Sequence, residues 1–327
     1  MRLLTTEEQD AVAAAIDDVV EAAGGADVAQ SWAAGDLSAG LALWAQFAEL
    51  GLTGLRVPET EGGFGGGLDD LVVVFERLGF HGVPGPYVET VALLPRLISE
   101  ADRAALVGGA VATAAVSGLS PFAPDPDAAT LRYVVDGDRI APATLERTGQ
   151  SLAPTRRLGV LAADGEGRAI APDARASAER EAVLAASAVL LGAGERLLRE
   201  AVQYAGVREQ FGRPIGEFQA LKHQLADVRV ALSFARPLLW NAALTADTGT
   251  GDRDSSAAKI AASEAATRAA RVALQVHGAI GYTAEHPLRI WLGLVPALSR
   301  VWGTPAQHRA RVAGAILSDG SSARERA

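Results

Sequence analysis

A short segment with the pattern of β-strands separates two long helical stretches of this sequence. Residues 107–176 contain short apolar runs broken by Asp-Gly and Gly-Asp pairs, which are typical of strands joined by tight turns. On either side, residues 5–105 and 178–317 repeat apolar residues at helical spacing. We therefore predict a mainly α-helical fold with a small β domain, divided into residues 1–106, 107–177 and 178–327.

Several helix ends can be assigned from single residues. Thr6 precedes acidic residues and is a good N-cap, whereas Gly51 and Gly278 follow apolar repeats and are good C-terminal stops. Pro237 is expected to kink or end the helix that contains it, and Pro287 suits the first turn of another. These signals predict a C-terminal domain built as a four-helix bundle.

Composition and charge exclude several classes of function. The 327 residues carry a net charge of −9 and include no cysteine, which argues against nucleic acid, disulfides and thiolate metal sites. The acidic N-terminus differs from a signal peptide, and no apolar run is long enough to span a bilayer. The histidines lack metal-ligand spacing. We expect a cytoplasmic protein without a metal, a nucleic-acid partner or a membrane partner.

Four motifs in order resemble the acyl-CoA dehydrogenase family over nearly the whole chain. "ELGLTGLRVPETEGGFGG" (49–66) and "GPYVET" (85–90) are similar to the N-terminal domain of the family. "VREQFGRPIGEFQ" (207–219) and "QVHGAIGYTAEHP" (275–287) are similar to its two C-terminal fingerprints. The resemblance implies a family fold with a reduced middle β domain and an FAD cofactor shared across a subunit boundary.

The resemblance also implies which residues of this chain bind the adenosine diphosphate half of an FAD held by a neighbouring subunit. A planar guanidinium suits the pyrophosphate, an aromatic ring packs on the cofactor, and Gly212 and Gly216 allow a close turn. Taken alone, an Arg-Phe-Gly turn is more often a simple helix connection. The cofactor-binding residues implied by the family are Arg208, Phe211, Gln219, Gln275, Gly278 and Gly281.

The general base of the family is missing from its usual position. A family enzyme needs a carboxylate within reach of the α-proton of its acyl thioester. The resemblance places that Glu in a Glu-Gly-Thr loop, where this chain has Trp302 followed by Gly303 and Thr304. The Trp302 ring either anchors the core or fills the vacated acyl pocket, and we favour filling.

The second family position for the base is also occupied by a residue that cannot remove a proton. Counting back from Arg208, this position is Ala182. Glu181 is adjacent, but one residue along a helix turns a side chain by about 100°. We therefore interpret Glu179 and Glu181 as acids in the first turn of a helix, with Glu181 as a fallback base.

The part of the β domain that lines the flavin ring in the family is not recognisable. No Trp occurs between Trp44 and Trp240, so the Trp-Ile-Thr strand of the family is missing. The segment "SPFAPDPD" (120–127) stands in place of the family's Thr-Glu-Pro and Gly-Ser-Asp elements, and its prolines and acids predict a surface loop.

These losses are similar to those of the shorter subunit in actinobacterial heterotetrameric acyl-CoA dehydrogenases of steroid side-chain degradation. The resemblance implies an α2β2 complex with a longer paralogue that carries the base, the ring pocket and most of the acyl-CoA site. Two alternatives remain open. One is an autonomous homo-oligomeric dehydrogenase that uses Glu181 or another acid as its base. The other is a non-enzymatic scaffold or DNA-binding relative, which the acidic charge disfavours.

Overall fold

The computed structural model describes residues 4–283 and 286–324. They form a mainly helical fold in which a small sheet lies in sequence between two groups of helices, as predicted. The first group comprises α1 (Glu7–Ala22), α2 (Ala26–Ala34), α3 (Ser38–Glu49), α4 (Leu68–His81) and α5 (Glu100–Val107), with a π-helical segment at Val88–Leu93. The second group comprises α6 (Pro172–Val207), α7 (Gln219–Thr245), α8 (Gly251–His277), α9 (Arg289–Leu298) and α10 (Pro305–Arg324).

The N-terminal helices begin and end where the capping residues indicate. The Thr6 hydroxyl accepts a hydrogen bond from the backbone N–H of Gln9, and the Gln9 side chain accepts one from the N–H of Thr6. The Gln9 amide also donates to Asp69 and Asp70, which joins the start of α1 to the start of α4. Gly51 has a φ of 79° just after α3, in the left-handed region that glycine adopts readily.

The predicted strands form a six-stranded sheet with the order β1-β3-β4-β5-β2, and β6 pairs with β4. β1 and β3 are parallel and the other pairs are antiparallel. The Asp136-Gly137 pair turns between β3 and β4, with a φ of 53° at the glycine. The strands are β1 (Ala112–Val116), β2 (Ala123–Pro124), β3 (Leu131–Asp136), β4 (Arg139–Gly149), β5 (Leu158–Ala163) and β6 (Arg168–Ala169).

The segment 120–127 is largely buried, so the surface-loop prediction for it is wrong. It contains β2, which pairs with β5, and Ser120 and Asp125 are almost inaccessible to solvent. The Asp125 carboxylate accepts hydrogen bonds from the indole N–H of Trp32 at 3.0 Å and from the backbone N–H of Arg157 at 3.1 Å. These partners are distant in sequence, and they hold the acidic turn between α2 and the sheet.

Helix α6 is the central element of the molecule. It packs against α4 at glycine positions, because a Cβ on Gly79 would lie 2.2 Å from the Val189 carbonyl oxygen and one on Gly192 would lie 1.9 Å from that of Glu76. Its 36 residues begin at Pro172, earlier than residue 178, where the second helical stretch predicted from the sequence begins. The apolar repeat begins later than the helix, because residues 171–177 are mostly exposed.

Helix α7 continues through Pro237 and ends at Thr245. Of the two outcomes expected for this proline, a kink or a helix end, the helix end is therefore wrong. Pro237 lies on the exposed side of α7, while Val228, Leu232 and Leu239 face the core. Within residues 4–283 and 286–324, no helix is long and apolar enough to cross a bilayer.

Candidate functional site

The first C-terminal fingerprint folds into a small hairpin that projects from the end of α6. Its strands are β7 (Glu209–Gln210) and β8 (Arg213–Pro214), and the turn between them consists of Phe211 and Gly212, with φ angles of 54° and 78°. The side chain of Phe211 is 93% exposed and meets only the edge of the Phe218 ring, 6.3 Å between centroids. The hairpin thus presents an aromatic ring to solvent on a backbone conformation that is unfavourable for a bulky residue.

Arg208 stands between α6 and this hairpin. Its backbone N–H donates to the Tyr204 carbonyl at 2.9 Å, and its carbonyl accepts from the Ile215 N–H at 2.8 Å. The main chain is therefore fixed while the guanidinium is exposed. Gly216 permits the close return, because a Cβ there would lie 2.9 Å from the Ala205 carbonyl oxygen. Gln219 is exposed as the first residue of α7.

The second fingerprint forms the end of α8 and the short 3₁₀ turn that follows. Gln275 is exposed on the last turn of the helix. Gly278 has a φ of 62° and donates its N–H to the Leu274 carbonyl, which confirms it as the C-terminal stop. Gly281 is buried, and a Cβ there would lie 3.2 Å from the Cβ of His277. The positive φ of Gly278 and the close packing around Gly281 each favour glycine at these positions.

A stacked ring pair brings the two fingerprints to the same end of the bundle. The rings of Tyr204 and His277 lie 4.4 Å apart at an interplanar angle of 26°. Tyr204 precedes Arg208 by one helical turn, and His277 lies between Gln275 and Gly278. Burial lowers the pKa of His277, so its neutral ring stacks on the tyrosine. Sequence reasoning missed this contact, because no local signal pairs residues so far apart in the chain.

This end of the bundle has the chemistry of a nucleotide-binding surface. An exposed guanidinium binds phosphate oxygens through paired N–H donors, and an exposed aromatic ring packs on a planar group. The side-chain amide of Gln275 can donate and accept near Gly278, where bare backbone permits close approach. The described residues here fit the diphosphate and nucleoside end of a dinucleotide such as FAD.

The residue at the usual base position, Trp302, is anchored in the core. It is completely buried and belongs to the main hydrophobic cluster. Its backbone N–H donates to the Leu119 carbonyl at 2.9 Å, and its carbonyl accepts from Nε2 of His308 at 2.9 Å. Nδ1 of His308 lies 3.1 Å from the Ser256 hydroxyl, and burial lowers the pKa of this histidine to about 4. Trp302 is thus fixed on both sides by neutral groups.

Gly303 and Thr304 have structural roles in this chain. Gly303 has a φ of 92°, and a Cβ there would lie 2.5 Å from Nε2 of His308. The hydroxyl of Thr304 accepts from the backbone N–H of Gln307 at 3.3 Å, and the Gln307 side chain accepts from the N–H of Thr304 at 2.8 Å. This reciprocal cap starts α10. The positive φ of Gly303 and the helix cap formed by Thr304 therefore account for both residues, although the family's Glu is missing beside them.

The interpretation of Glu179 and Glu181 as first-turn acids is wrong. Because α6 begins at Pro172, both lie in its interior. Glu181 is 2% exposed and forms a bidentate ion pair with Arg56, whose Nε and Nη2 lie 2.9 and 3.0 Å from the two carboxylate oxygens. Arg96 contacts the same carboxylate. Both carboxylate oxygens of Glu181 are occupied by guanidinium groups, so the geometry disfavours Glu181 as a base. Ala182 beside it is completely buried.

One buried acid was missed by the sequence reasoning, although it belongs to the "GPYVET" motif. Glu89 lies in the π-helical segment, is 1% exposed, and its Oε1 has no hydrogen-bond partner among the described residues. Burial raises the pKa of Glu89 to about 7. It lines a cavity of about 40 Å³ together with Tyr87. That volume suits a few water molecules and no acyl chain.

Comparison with known proteins identifies the family. The model described as acyl-CoA dehydrogenase, N-terminal domain, matches residues 6–99, and the model described as acyl-CoA dehydrogenase, C-terminal domain, matches residues 173–317. The chain belongs to the acyl-CoA dehydrogenase family. Members of this family are FAD-dependent oxidoreductases.

Similar curated proteins include mycobacterial dehydrogenases. Acyl-CoA dehydrogenase IpdE2 of Mycobacterium tuberculosis is 36% identical over 265 residues, which are 76% of this chain and 78% of that protein. IpdE2 of Mycolicibacterium smegmatis is 30% identical over 296 residues, 84% of this chain and 88% of the relative.

No group of three or more potential metal ligands occurs in the part of this chain that the structure describes.

Similar solved structures cover almost the whole chain. A variant of the Tcur3481–Tcur3483 steroid ACAD is 25% identical with a TM-score of 0.77, covering 94% of this chain and 99% of that one. Butyryl-CoA dehydrogenase from Megasphaera elsdenii is 22% identical with a TM-score of 0.82, covering 97% of this chain and 100% of that one. The second likeness shows the fold alone, and it confirms the predicted fold class.

Proposed function

We propose that this chain is the shorter subunit of a heteromeric, FAD-dependent acyl-CoA dehydrogenase. In this role it supplies the residues that bind the adenosine diphosphate half of an FAD whose flavin ring lies in a longer paralogous subunit. The partner supplies the catalytic carboxylate and most of the acyl-CoA site. We expect an α2β2 complex in the cytoplasm, and we expect this chain alone to be inactive.

The observation that carries the proposal is an asymmetry between two regions of the same molecule. Arg208, Phe211 and Gln275, which we assign to nucleotide binding, are all exposed at the Tyr204–His277 end of the bundle, and we call them the nucleotide-binding surface. The two positions for the base instead hold buried Trp302 and buried Ala182. A chain with the first region and without the second fits the shared-cofactor role better than it fits an autonomous enzyme.

The relatives support a heteromeric role and suggest a substrate class. The Tcur3481–Tcur3483 structure is described as a steroid ACAD and combines two named proteins. We therefore infer that this chain pairs with a longer acyl-CoA dehydrogenase, and that the complex forms an α,β-double bond in a bulky, steroid-derived acyl-CoA.

The chain's own residues have limited tasks in this scheme. Arg208 neutralises diphosphate charge, Phe211 packs on the cofactor and excludes water, and Gln275 binds the nucleoside end beside Gly278 and Gly281. When bound, FAD supplies the redox chemistry of hydride acceptance. Removal of the α-proton belongs to the partner, because no free carboxylate lies at either base position of this chain.

The first experiment compares the chain alone with the chain co-expressed with a longer acyl-CoA dehydrogenase paralogue from the same organism. The complex should bind FAD in a fixed ratio and oxidise a bulky acyl-CoA, whereas the lone chain should be colourless and inactive. FAD-loaded, active protein from the single chain would overturn the proposal.

Arg208→Gln tests the cofactor role directly. We expect at least a tenfold loss of FAD affinity in the complex, because charge-assisted hydrogen bonds to phosphate are lost. The measurement is FAD content after dialysis, followed by titration with added FAD. Arg147→Gln is the matched control, since Arg147 is an exposed arginine of the β-sheet. Equal FAD affinity in the two variants would contradict the assigned role.

A further inference from the structure

Arg156 is a buried arginine whose side chain has no hydrogen-bond or ion-pair partner among the described residues. It is 9% exposed, and within residues 4–283 and 286–324 its guanidinium forms no hydrogen bond and no ion pair. The adjacent Arg157, by contrast, lies 3.2 Å from the Asp127 carboxylate. The charge of Arg156 acts on the buried carboxyls of Glu89 and Asp125, but its N–H donors have no protein acceptor in the described part of the chain and are available to a bound ligand.

Two cavities meet at Arg156. One is the cavity of about 40 Å³ that Glu89 lines. The other has a volume of about 260 Å³ and is lined mainly by apolar residues, among them Phe122, Leu152 and Val301, and also by Ser120, Gln150 and Ser151. Phe122 and Leu152 are 45% and 66% exposed, so this second cavity reaches the surface. Arg156 lines both, at the boundary between a water-sized space and a ligand-sized one.

Arg156 lies close enough to two buried acids, Glu89 and Asp125, and to buried Lys259 for its charge to act on all three. Lys259 is completely buried and donates to the Leu298 carbonyl, which carries no compensating charge. Burial and the charge of Arg156 lower the pKa of Lys259 to about 7, and burial raises that of Glu89 to about 7 and that of Asp125 to about 6. As the pH falls from 8 towards 6, Glu89 becomes protonated, Asp125 begins to be protonated and Lys259 becomes charged, so the cluster becomes more positive.

We infer that the 260 Å³ cavity binds a small organic carboxylate with an apolar body, and that its carboxylate pairs with Arg156. The apolar walls exclude a bare inorganic anion as the best ligand, because such an ion would bury no apolar surface. The guanidinium gives the site its preference for a planar carboxylate over a neutral group of the same shape. Nothing in this assignment depends on the nucleotide-binding surface.

The pH dependence has a definite sign. Lowering the pH from 8 to 6 protonates most of Glu89 and about half of Asp125, and it charges Lys259. His308 stays neutral over this range, and the nearby Arg157 stays charged. Each of these changes favours an incoming anion, so carboxylate affinity should increase as the pH falls.

The test uses the full chain in its complex, with benzoate as the probe and benzamide as its neutral counterpart, in calorimetric titrations at pH 6 and pH 8. Benzoate should bind at least tenfold more tightly than benzamide, and more tightly at pH 6. Arg156→Gln should remove this preference, whereas Arg271→Gln, at an exposed arginine of α8, should retain it.

A second variant keeps the result interpretable if Arg156→Gln does not fold. Val301→Trp narrows the cavity while leaving the guanidinium in place, so it should abolish benzoate binding with little change in the melting temperature. Equal binding of benzoate and benzamide, or undiminished benzoate binding in a folded Arg156→Gln or Val301→Trp complex, would overturn the inference. FAD content, measured in the same samples, reports on the proposed function separately.

Discussion

The surroundings of the buried Glu89 carboxyl do not fully stabilise its negative charge. Its Oε1 lacks a hydrogen-bond partner in the described part of the chain, and the positive charge of Arg156 only partly offsets the cost of burial. The pKa of Glu89 is therefore about 7, compared with an ordinary value of 4.5. In the unfolded chain this carboxyl ionises first, so the native state binds more protons between these two pH values. The contribution of Glu89 to the free energy of unfolding is fully present below pH 4.5 and is lost as the pH rises through 7.

Glu89→Gln should change this pH dependence. Glutamine does not ionise, so the variant should match the wild type near pH 4.5 and be more stable by roughly 2–3 kcal/mol at pH 8. Urea unfolding of the complex at pH 4.5, 6 and 8 measures the difference. Glu146→Gln, at an exposed position of β4, should leave the free energy of unfolding nearly unchanged at each pH. A stability difference that does not vary with pH would contradict the shifted pKa.

At the residue scale, the sequence predicts which residues occupy the base positions, but it does not predict what surrounds their side chains. Counting from the fingerprints predicts that Trp302 and Ala182 occupy the base positions. Their burial and the ion pairs of Glu181 required the fold, because Arg56 and Arg96 are 125 and 85 residues away from Glu181. The prediction that Trp302 fills an acyl pocket stays a prediction, since its burial in the core fits either role.

Among the elements, the hairpin of residues 209–214 shows the conflict between stability and binding. Phe211 has a φ of 54°, yet only a few per cent of its side chain is buried. Packing within the chain therefore does not offset the energetic cost of the left-handed backbone conformation. A residue with this cost and little packing is better explained by a contact made outside the chain, which agrees with its proposed role against the cofactor.

Phe211→Gly should therefore separate stability from cofactor binding. We expect the free energy of unfolding to stay equal or to rise by up to about 1 kcal/mol, because glycine adopts positive φ without strain. FAD affinity of the complex should fall, because the ring is gone. Gln210→Gly, at an exposed position with an ordinary φ, should instead lose a little stability and keep FAD. Loss of stability in Phe211→Gly with FAD retained would refute this account.

Helices were predicted more successfully than the elements whose partners are distant. Thr6, Gly51 and Gly278 mark helix ends through local capping, which a sequence displays directly. The start of α6 was misplaced because its first residues are exposed and carry no apolar repeat. The segment 120–127 was taken for a surface loop because its burial depends on Trp32 and on pairing with β5.

The whole molecule exposes a line of apolar side chains on the outer face of α7. We call Val230, Phe234 and Leu238 the α7 stripe; they are 53%, 74% and 43% exposed and are spaced four residues apart, so they share one face. Core-facing residues of the same helix occupy the opposite side. An apolar stripe on a helix of an otherwise acidic chain fits a surface that a second subunit covers, and the proposed partner is the expected occupant.

Phe234→Asp should weaken the complex without unfolding this chain. The side chain is largely exposed here, so the free energy of unfolding should change by less than about 1 kcal/mol, whereas burying a carboxylate against an apolar partner surface is costly. Size-exclusion chromatography and co-purification with the longer paralogue measure association. Leu4→Asp is the matched control, because Leu4 is also 74% exposed but lies before α1. If Phe234→Asp assembles as well as Leu4→Asp, the partner binds elsewhere, and the α7 stripe has no part in holding the nucleotide-binding surface against the other subunit.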